Sequence, residues 1–181
     1  MTKKKLTLTI NKSVVIDAVK TDTHIKGTID KSMDDNASRV AYNESAGDDE
    51  YHERKLDRTF VASSENLVAE ISDMLSGNSE VSSDFSKSNQ VVIKVEVDAR
   101  FNSSFANTLS RLCSSYIEND MLILWWGAIN QNQATFYTQI AAKYLTSIRK
   151  CFNKVAPAAP VDSENNEVTI LDTTGQLIEK E

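Results

Sequence analysis

The stretch Leu122–Gln139, "LILWWGAINQNQATFYTQ", contains both tryptophans of the chain, adjacent to each other at Trp125 and Trp126. Three large aliphatic residues precede the tryptophans, and a glycine and a run rich in Asn and Gln follow them. On both sides, this stretch continues into segments with the apolar spacing of amphipathic helices. It therefore predicts a corner between two helices, with "WGAINQNQ" as the connection.

The two helices that meet at this corner are the longest periodic segments of the chain. The first is predicted from about Asn102 to Trp125 and the second from about Gln131 to Asn153, because apolar residues recur at i, i+3, i+4 and i+7. The predicted inner residues of the first helix are Phe105, Leu109, Leu112, Cys113, Tyr116 and Ile117. Those of the second helix are Phe136, Ile140, Tyr144, Leu145, Ile148 and Phe152.

Two strands are predicted from side chains that alternate between apolar and polar. "KLTLTI", residues 5–10, places its Leu and Ile side chains on one face, which indicates a half-buried strand. "QVVIKVEVD", whose strand is predicted near residues 90–97, has one dry and one wet face. The dry face is formed by Val91, Ile93, Val95 and Val97.

Two further helices are predicted in the first half of the chain. Asn11 is a candidate N-cap for "KSVVIDAVKTD", residues 12–22. In "SSENLVAEISDMLSG", Ser63 or Ser64 is the predicted N-cap and Gly77 the predicted stop. Between the caps, apolar residues form one helical stripe.

The chain divides into four parts by composition. Residues 1–30 are predicted to form the N-terminal strand and helix, and the acidic, polar residues 31–55 a surface excursion or a weak helix that orders on contact. Residues 56–155 are the predicted helical core domain with its strand near 90–97. Residues 156–181 form a linker with "PAAP" and then an arm, in which "VTIL" and "QLI" flank the turn "DTTG".

The composition agrees with a mainly α fold. The chain has 181 residues, of which 40% are hydrophobic, and only five glycines and two prolines. Such a chain is typical of one soluble domain and has too few turn residues for a loop-rich β-sandwich. We predict a helical bundle of about four helices with minor β strands and a C-terminal extended arm or hairpin.

The net charge, the apolar runs and the cysteines limit the partners and the cell compartment that the sequence predicts. Twenty basic and 26 acidic side chains give a net charge of −6, so no general attraction to nucleic acid is expected. The sequence has no secretory-signal pattern and no apolar run near the ~20 residues that cross a bilayer, which predicts a soluble cytoplasmic product without membrane binding. Cys113 and Cys151 are predicted to be buried small hydrophobes.

Residues suited to catalysis or metal binding are few. His24 and His52 have no His or Cys partner at zinc-ligand spacing. In "DDEYHE" the acids Asp48, Asp49 and Glu53 surround His52, a pattern more typical of a solvated loop than of a metal site. Nucleotide-binding, hydrolase and metalloprotease motifs are absent. The sequence thus predicts no enzyme, cofactor or metal; a small hydrolase or metal-binding protein that uses His52 is the third hypothesis.

The adjacent tryptophans allow two arrangements. Neighbouring residues on a helix point about 100° apart, so Trp125 and Trp126 cannot both face one narrow seam. Either both pack inside the domain at the corner, or one fills the core and the other contacts another protein at its rim. We assign partner contacts to Trp125, Trp126 and Phe136, and to Ile170 and Leu177 in the C-terminal arm.

The order of these segments resembles that of a known class of proteins. It runs from "LTLTI" through "RTFVASSENLVAEI" and "ARFNSSFANTLSRLCSSYIENDMLILWW" to "NQNQATFYTQIAAKYLTSIRKCF" and "APAAP". This order is similar to that of small proteins encoded in the structural-gene clusters of gut-bacterial tailed phages and prophages. Those proteins resemble helical head–tail connector (adaptor) proteins, which form rings beneath the portal. The resemblance covers most of residues 5–160 and rests on element order and scattered aromatic positions, from which "INQNQ" and "TILDTTGQLI" depart.

The resemblance implies a non-enzymatic virion protein that is assembled in the cytoplasm of a bacterial host. Its implied partners are copies of itself in a homo-oligomeric ring, together with the portal and tail or other neck proteins. It would lie near packaged DNA without recognising a specific nucleic acid. The alternative hypothesis is a cytoplasmic protein-binding module or regulator that uses the aromatic corner to hold a partner helix.

Overall fold

The computed structural model describes residues 3–29, 46, 50–75, 80–81 and 89–153. Within these residues, four helices of 18 to 22 residues pack against a three-stranded antiparallel sheet. The fold is therefore mainly α with a minor β component, and this prediction from the sequence is confirmed.

The predicted strands and helices occur in the predicted order, together with one short strand and two 3₁₀ turns that were not predicted. They are β1 (Lys3–Asn11), α1 (Lys12–Ile29), α2 (Glu50–Glu70), a 3₁₀ turn (Ser72–Met74), β2 (Glu80–Val81), β3 (Gln90–Asp98), a second 3₁₀ turn (Ser103–Phe105), α3 (Ala106–Trp126) and α4 (Gln131–Phe152). The predicted C-terminal arm lies outside the described residues, and so do residues 31–49 apart from Ala46.

The sheet has β3 at its centre, between β1 and β2. Leu8 of β1 is paired with Ile93 of β3, and Val81 of β2 pairs with Ile93 from the other side. This register puts the apolar side chains of β1 and β3, apart from the half-buried Val92, on one face, where they are buried, as the alternating sequence predicts. The exposed face carries polar residues such as Lys94.

α3 is the central helix of the domain, because it contacts the other three helices and also β1. α2 and α3 run in opposite directions, as the contacts at the two ends of α2 show. At one end the ring of His52, in the first turn of α2, lies 5.4 Å from that of Trp125 near the end of α3. At the other end, Arg149 Nη2 of α4 lies 3.5 Å from Glu70 Oε2 at the end of α2.

The start of α2 differs from the prediction. The helix begins at Glu50 and not at a cap formed by Ser63 or Ser64, so residues 50–55 belong to it and not to the acidic excursion. Both serines are buried in its interior. The first half of α2 is polar because its outward side is charged, while His52, Leu56 and Phe60 recur every four residues on its buried side.

Ser63→Ala is expected to raise the free energy of unfolding by about 1 kcal/mol. The Ser63 side chain is fully buried, and its Oγ has no hydrogen-bond partner in the part of the chain that the structure describes. The hydroxyl therefore loses hydration without compensation. The matched control is Ser64→Ala, because Ser64 is equally buried but its Oγ donates to the Phe60 carbonyl at 2.8 Å. Urea unfolding measures both variants, and equal gains would contradict the prediction.

Candidate functional site at the helical corner

The corner, residues 127–130, is closed by backbone hydrogen bonds to the end of α3. The Gly127 amide donates to the Ile123 carbonyl at 2.9 Å, and the amides of Ile129 and Asn130 both donate to the Trp126 carbonyl, at 2.9 and 2.8 Å. A Cβ atom at Gly127 would lie 3.1 Å from the Ile123 oxygen. The close approach of the backbone therefore favours glycine at this position.

Asn130 starts α4 directly after this turn. Its backbone is extended, and its Oδ1 accepts hydrogen bonds from the amides of Asn132 and Gln133, at 3.1 and 3.3 Å. This is the geometry of an N-cap, which satisfies amides that have no partner within the helix. The "INQNQ" segment thus has a structural role, because the amide of Asn130 donates to the last turn of α3 and its side chain caps the start of α4.

Both tryptophans lie in the core. Trp125 and Trp126 are each 1% exposed, which agrees with the alternative in which both pack inside the domain. Two side chains that point in different directions can both be buried because α3 has neighbours on several sides. A direct contact of either ring with another protein remains a prediction, and in this fold it would require rearrangement of the corner.

Trp125 lies between two side chains of α2. His52 approaches one side of the indole, with a ring–centroid distance of 5.4 Å and an interplanar angle of 58°. Lys55 Nζ lies 3.9 Å from the centroid of the indole, a cation–π geometry, and burial lowers the pKa of this amine. These contacts attach the first two turns of α2 to the end of α3.

The position of His52 bears on the third hypothesis. The imidazole is buried against Trp125 and not held in a solvated acidic loop. Among the residues that the structure describes, no group of three or more His, Cys, Asp or Glu side chains is arranged to hold a metal ion. Asp48 and Asp49, which the sequence hypothesis included, lie outside the described residues.

A second set of contacts joins α1 to α4 near the corner. The Tyr137 hydroxyl donates a hydrogen bond of 2.7 Å to Asp22 Oδ2. Burial, and then this hydrogen bond to a carboxylate, raise the pKa of Tyr137, so the hydroxyl keeps the proton that it donates. Burial and the charge of Asp22 raise the pKa of Glu118 on α3. The hydrogen bond joins α1 to α4, and Glu118 of α3 lies close enough to Asp22 for their like charges to interact.

Large apolar side chains are exposed mainly at this end of the domain. We define the corner end as the second half of α1, the first turn of α2 and the stretch from Leu124 to Tyr137. It contains five of the six large hydrophobic residues that are exposed in the described structure: Ile25, Tyr51, Leu124, Ile129 and Phe136. The sixth, Val14, lies in the first turn of α1, away from the corner end.

Phe136 was predicted on the inner face of α4, and this prediction was wrong. The ring is 51% exposed, and the neighbouring Tyr137 is buried instead. The buried residues of α4 are Ala134, Tyr137, Ala141, Ile148 and Cys151. Their spacing is also helical, but the two alanines give a weak apolar signal, so the larger Phe136 determined the predicted register. The exposure of Phe136 is compatible with its predicted partner contact.

The remaining predicted site residues have different outcomes. Ile170 and Leu177 lie outside the described residues, so their contacts stay predictions. Cys113 and Cys151 are buried, as predicted, and neither forms a disulfide. Burial raises the pKa of the Cys113 thiol to about 12, so this cysteine is protonated and a poor nucleophile at neutral pH.

Comparisons with known proteins add no family assignment. No protein-family model, curated protein or solved structure matches the chain. None of the described helices combines the length and the apolar character needed to cross a membrane.

Proposed function

We propose that the chain is a non-enzymatic virion structural protein, a head–tail connector (adaptor) ring subunit that joins portal and tail and meets its neighbours through the corner end. The observation that carries the proposal is the concentration of exposed large apolar side chains at that end. Exposed apolar side chains gathered in one region mark sites of protein–protein contact.

The support beneath these side chains is rigid. Phe136 packs edge-on against Tyr137, with ring centroids 5.3 Å apart, and Tyr137 is held by its hydrogen bond to Asp22. Leu124 precedes the two buried tryptophans, and Ile129 donates its amide to the Trp126 carbonyl. A contact surface on fixed helix ends loses little conformational entropy on binding, which suits a subunit of a permanent assembly.

The presence and copy number of the chain in phage particles test the virion assignment. Phage particles would be induced from the bacterium that carries the gene and purified on a density gradient, and mass spectrometry would compare this chain with the major capsid protein. We expect a fixed copy number close to that of one ring. Particles without the chain would refute the connector proposal and favour the protein-binding module, which predicts a single cellular partner.

Phe136→Ser is expected to reduce incorporation into particles by about tenfold or more, because an aromatic contact residue contributes at least 1–2 kcal/mol to an interface. The melting temperature should change little, since the ring is half exposed in the isolated chain. Val14→Ser is the matched control, because Val14 is also an exposed apolar helix residue but lies away from the corner end. Equal incorporation of both variants would contradict a role of the corner end in assembly.

A further inference from the structure

The outward side of α2 forms a second surface, distinct from the corner end. The buried side chains of this helix point in one direction, and the opposite side carries exposed or half-buried residues. Along the middle of that side lie the exposed Arg58 and Glu65 and the half-buried Val61 and Ala62, of which Val61 also packs against the core. Together with Asp57 they line a depression of about 420 Å³.

Arg58 and Glu65 have no partner in the part of the fold that the structure describes. Asp57, by contrast, pairs with Lys12 Nζ at 2.9 Å, and Arg54 pairs with Glu50 on the same helix. Arg58 and Glu65 are exposed but neither forms an ion pair or hydrogen bond there. A positive and a negative side chain on the same exposed side of α2 are thus both available for an ion pair with another molecule.

The spacing prevents these two residues from pairing with each other. They are seven residues apart, about 10 Å along the helix axis, whereas ion pairs within a helix join residues three or four apart. Three or four residues from Arg58 along α2 lie two basic and two apolar residues, and at the same spacing from Glu65 lie four apolar residues. These neighbours are Arg54, Lys55, Val61 and Ala62 for the arginine, and Val61, Ala62, Val68 and Ala69 for the glutamate. Neither side chain therefore has an oppositely charged partner on its own helix.

We propose that this face of α2 binds the same face of a second copy of the chain, with the two helices antiparallel about a two-fold axis between Val61 and Ala62. A rotation about that axis places Arg58 opposite Glu65 of the second copy, and Glu65 opposite Arg58 of the second copy. The charges are therefore self-complementary, as an isologous contact requires. A parallel pair would instead place Arg58 against Arg58.

The residues beside the axis fit close helix packing. Val61 would contact Val61 of the second copy at one edge of the helix–helix contact. Ala62 would contact Ala62 of the second copy at the opposite edge. Small side chains at the crossing allow the two backbones to approach, and the charged pairs then lie one turn to either side, where they fix the register. The two-fold contact is centred on the middle of α2, about 16 Å along the helix from Tyr51, and uses none of the exposed apolar side chains of the corner end, so the two contacts can be tested separately.

Sedimentation velocity over a concentration series of the full chain tests the two-fold contact. We expect a reversible dimer whose dissociation constant rises by about tenfold or more for Arg58→Glu and for Glu65→Arg, because each change puts two like-charged pairs in contact. The double variant that carries both changes exchanges the charges and is expected to recover the wild-type constant within about threefold. Arg111→Glu, an equal change of charge at an exposed position of α3, is the control and should leave the constant unchanged.

Three results would overturn the proposal. These are a wild-type chain that stays monomeric up to about 1 mM, a double variant no tighter than the single ones, and an effect of Arg111→Glu as large as that of Arg58→Glu. The series is repeated in a Phe136→Ser chain, where loss of the corner contact should leave the dimer intact. This separates a failure of the two-fold contact from a failure of the proposed function.

Oxidative cross-linking gives a second, independent readout. Ala62→Cys would place a thiol beside its own copy, so a covalent dimer is expected under mild oxidation. Ala69→Cys is the control, because its two copies would be about 20 Å apart along antiparallel helices. Cys113 and Cys151 are buried and should not compete. Equal cross-linking of both variants, or of neither, would contradict the antiparallel register.

Discussion

Trp126→Ala is expected to lower the free energy of unfolding by about 3–5 kcal/mol, the cost of removing a large aromatic side chain from a packed core. Trp126 is 1% exposed at the end of the central helix, next to a second buried tryptophan. The helices around it are fixed by the corner hydrogen bonds and by the Tyr137–Asp22 contact, so they cannot easily close the cavity. Urea unfolding monitored by far-UV circular dichroism measures the loss.

Trp126→Phe is the matched control, and its expected cost is about 1–2 kcal/mol. The Trp126 Nε1 proton has no acceptor in the described part of the structure, so phenylalanine gives up no hydrogen bond and leaves only a small void. A Trp126→Ala chain that kept wild-type stability but failed to assemble would place this ring at an interface. A large loss of stability would instead establish the tryptophan as a core residue, and partner contacts would then depend on the exposed residues around it.

The elements with strong periodicity could be predicted from the sequence. β1 alternates strictly and β3 alternates apart from Val92, and the residues of β3 predicted as dry, Val91 to Val97 at every second position, are buried. α3 and α4 each carry a long apolar stripe and are separated by a glycine and an asparagine that end one helix and cap the next. Local sequence is sufficient in these cases because each segment buries one face and has recognisable ends.

The first half of α2 could not be predicted in the same way. Between Glu50 and Ser64, the buried large side chains are only His52, Leu56 and Phe60, one for each helical turn. Two buried serines extend this stripe, although serine usually marks a helix start. The stabilising contacts of this segment come from residues that are distant in sequence, such as Trp125 above His52 and Lys55. A local pattern does not contain that information.

The helical corner was predicted in position but not in detail. The sequence placed an aromatic-rich corner between two helices, and the structure has one there. Which aromatic ring is exposed depends on the number of neighbours that each helix has. α3 is central, so both of its tryptophans are buried, whereas α4 packs mainly against α3 and leaves Phe136 in solvent. The neighbours of a helix are a property of the tertiary fold and are not visible in the apolar spacing of one segment.

Ile93→Ala is expected to lower the free energy of unfolding by about 2–5 kcal/mol, because the side chain is fully buried in the central strand of the sheet. Ile93 pairs with Leu8 on one side and Val81 on the other. Truncation at this position therefore leaves a cavity between the sheet and the helices. Thermal and urea unfolding measure the loss.

Lys94→Ala tests whether this loss depends on which face of the sheet the side chain occupies. Lys94 is the next residue of β3 and projects from the exposed face, so its substitution should change stability by about 0.5 kcal/mol or less. Since the β-propensities of amino acids span only about 1 kcal/mol, a larger difference between the two losses reports burial. Comparable losses would mean that β3 does not pack one face on the helices. A large loss for Ile93→Ala alone would show that β3 is stabilised through the face that is packed against the helices.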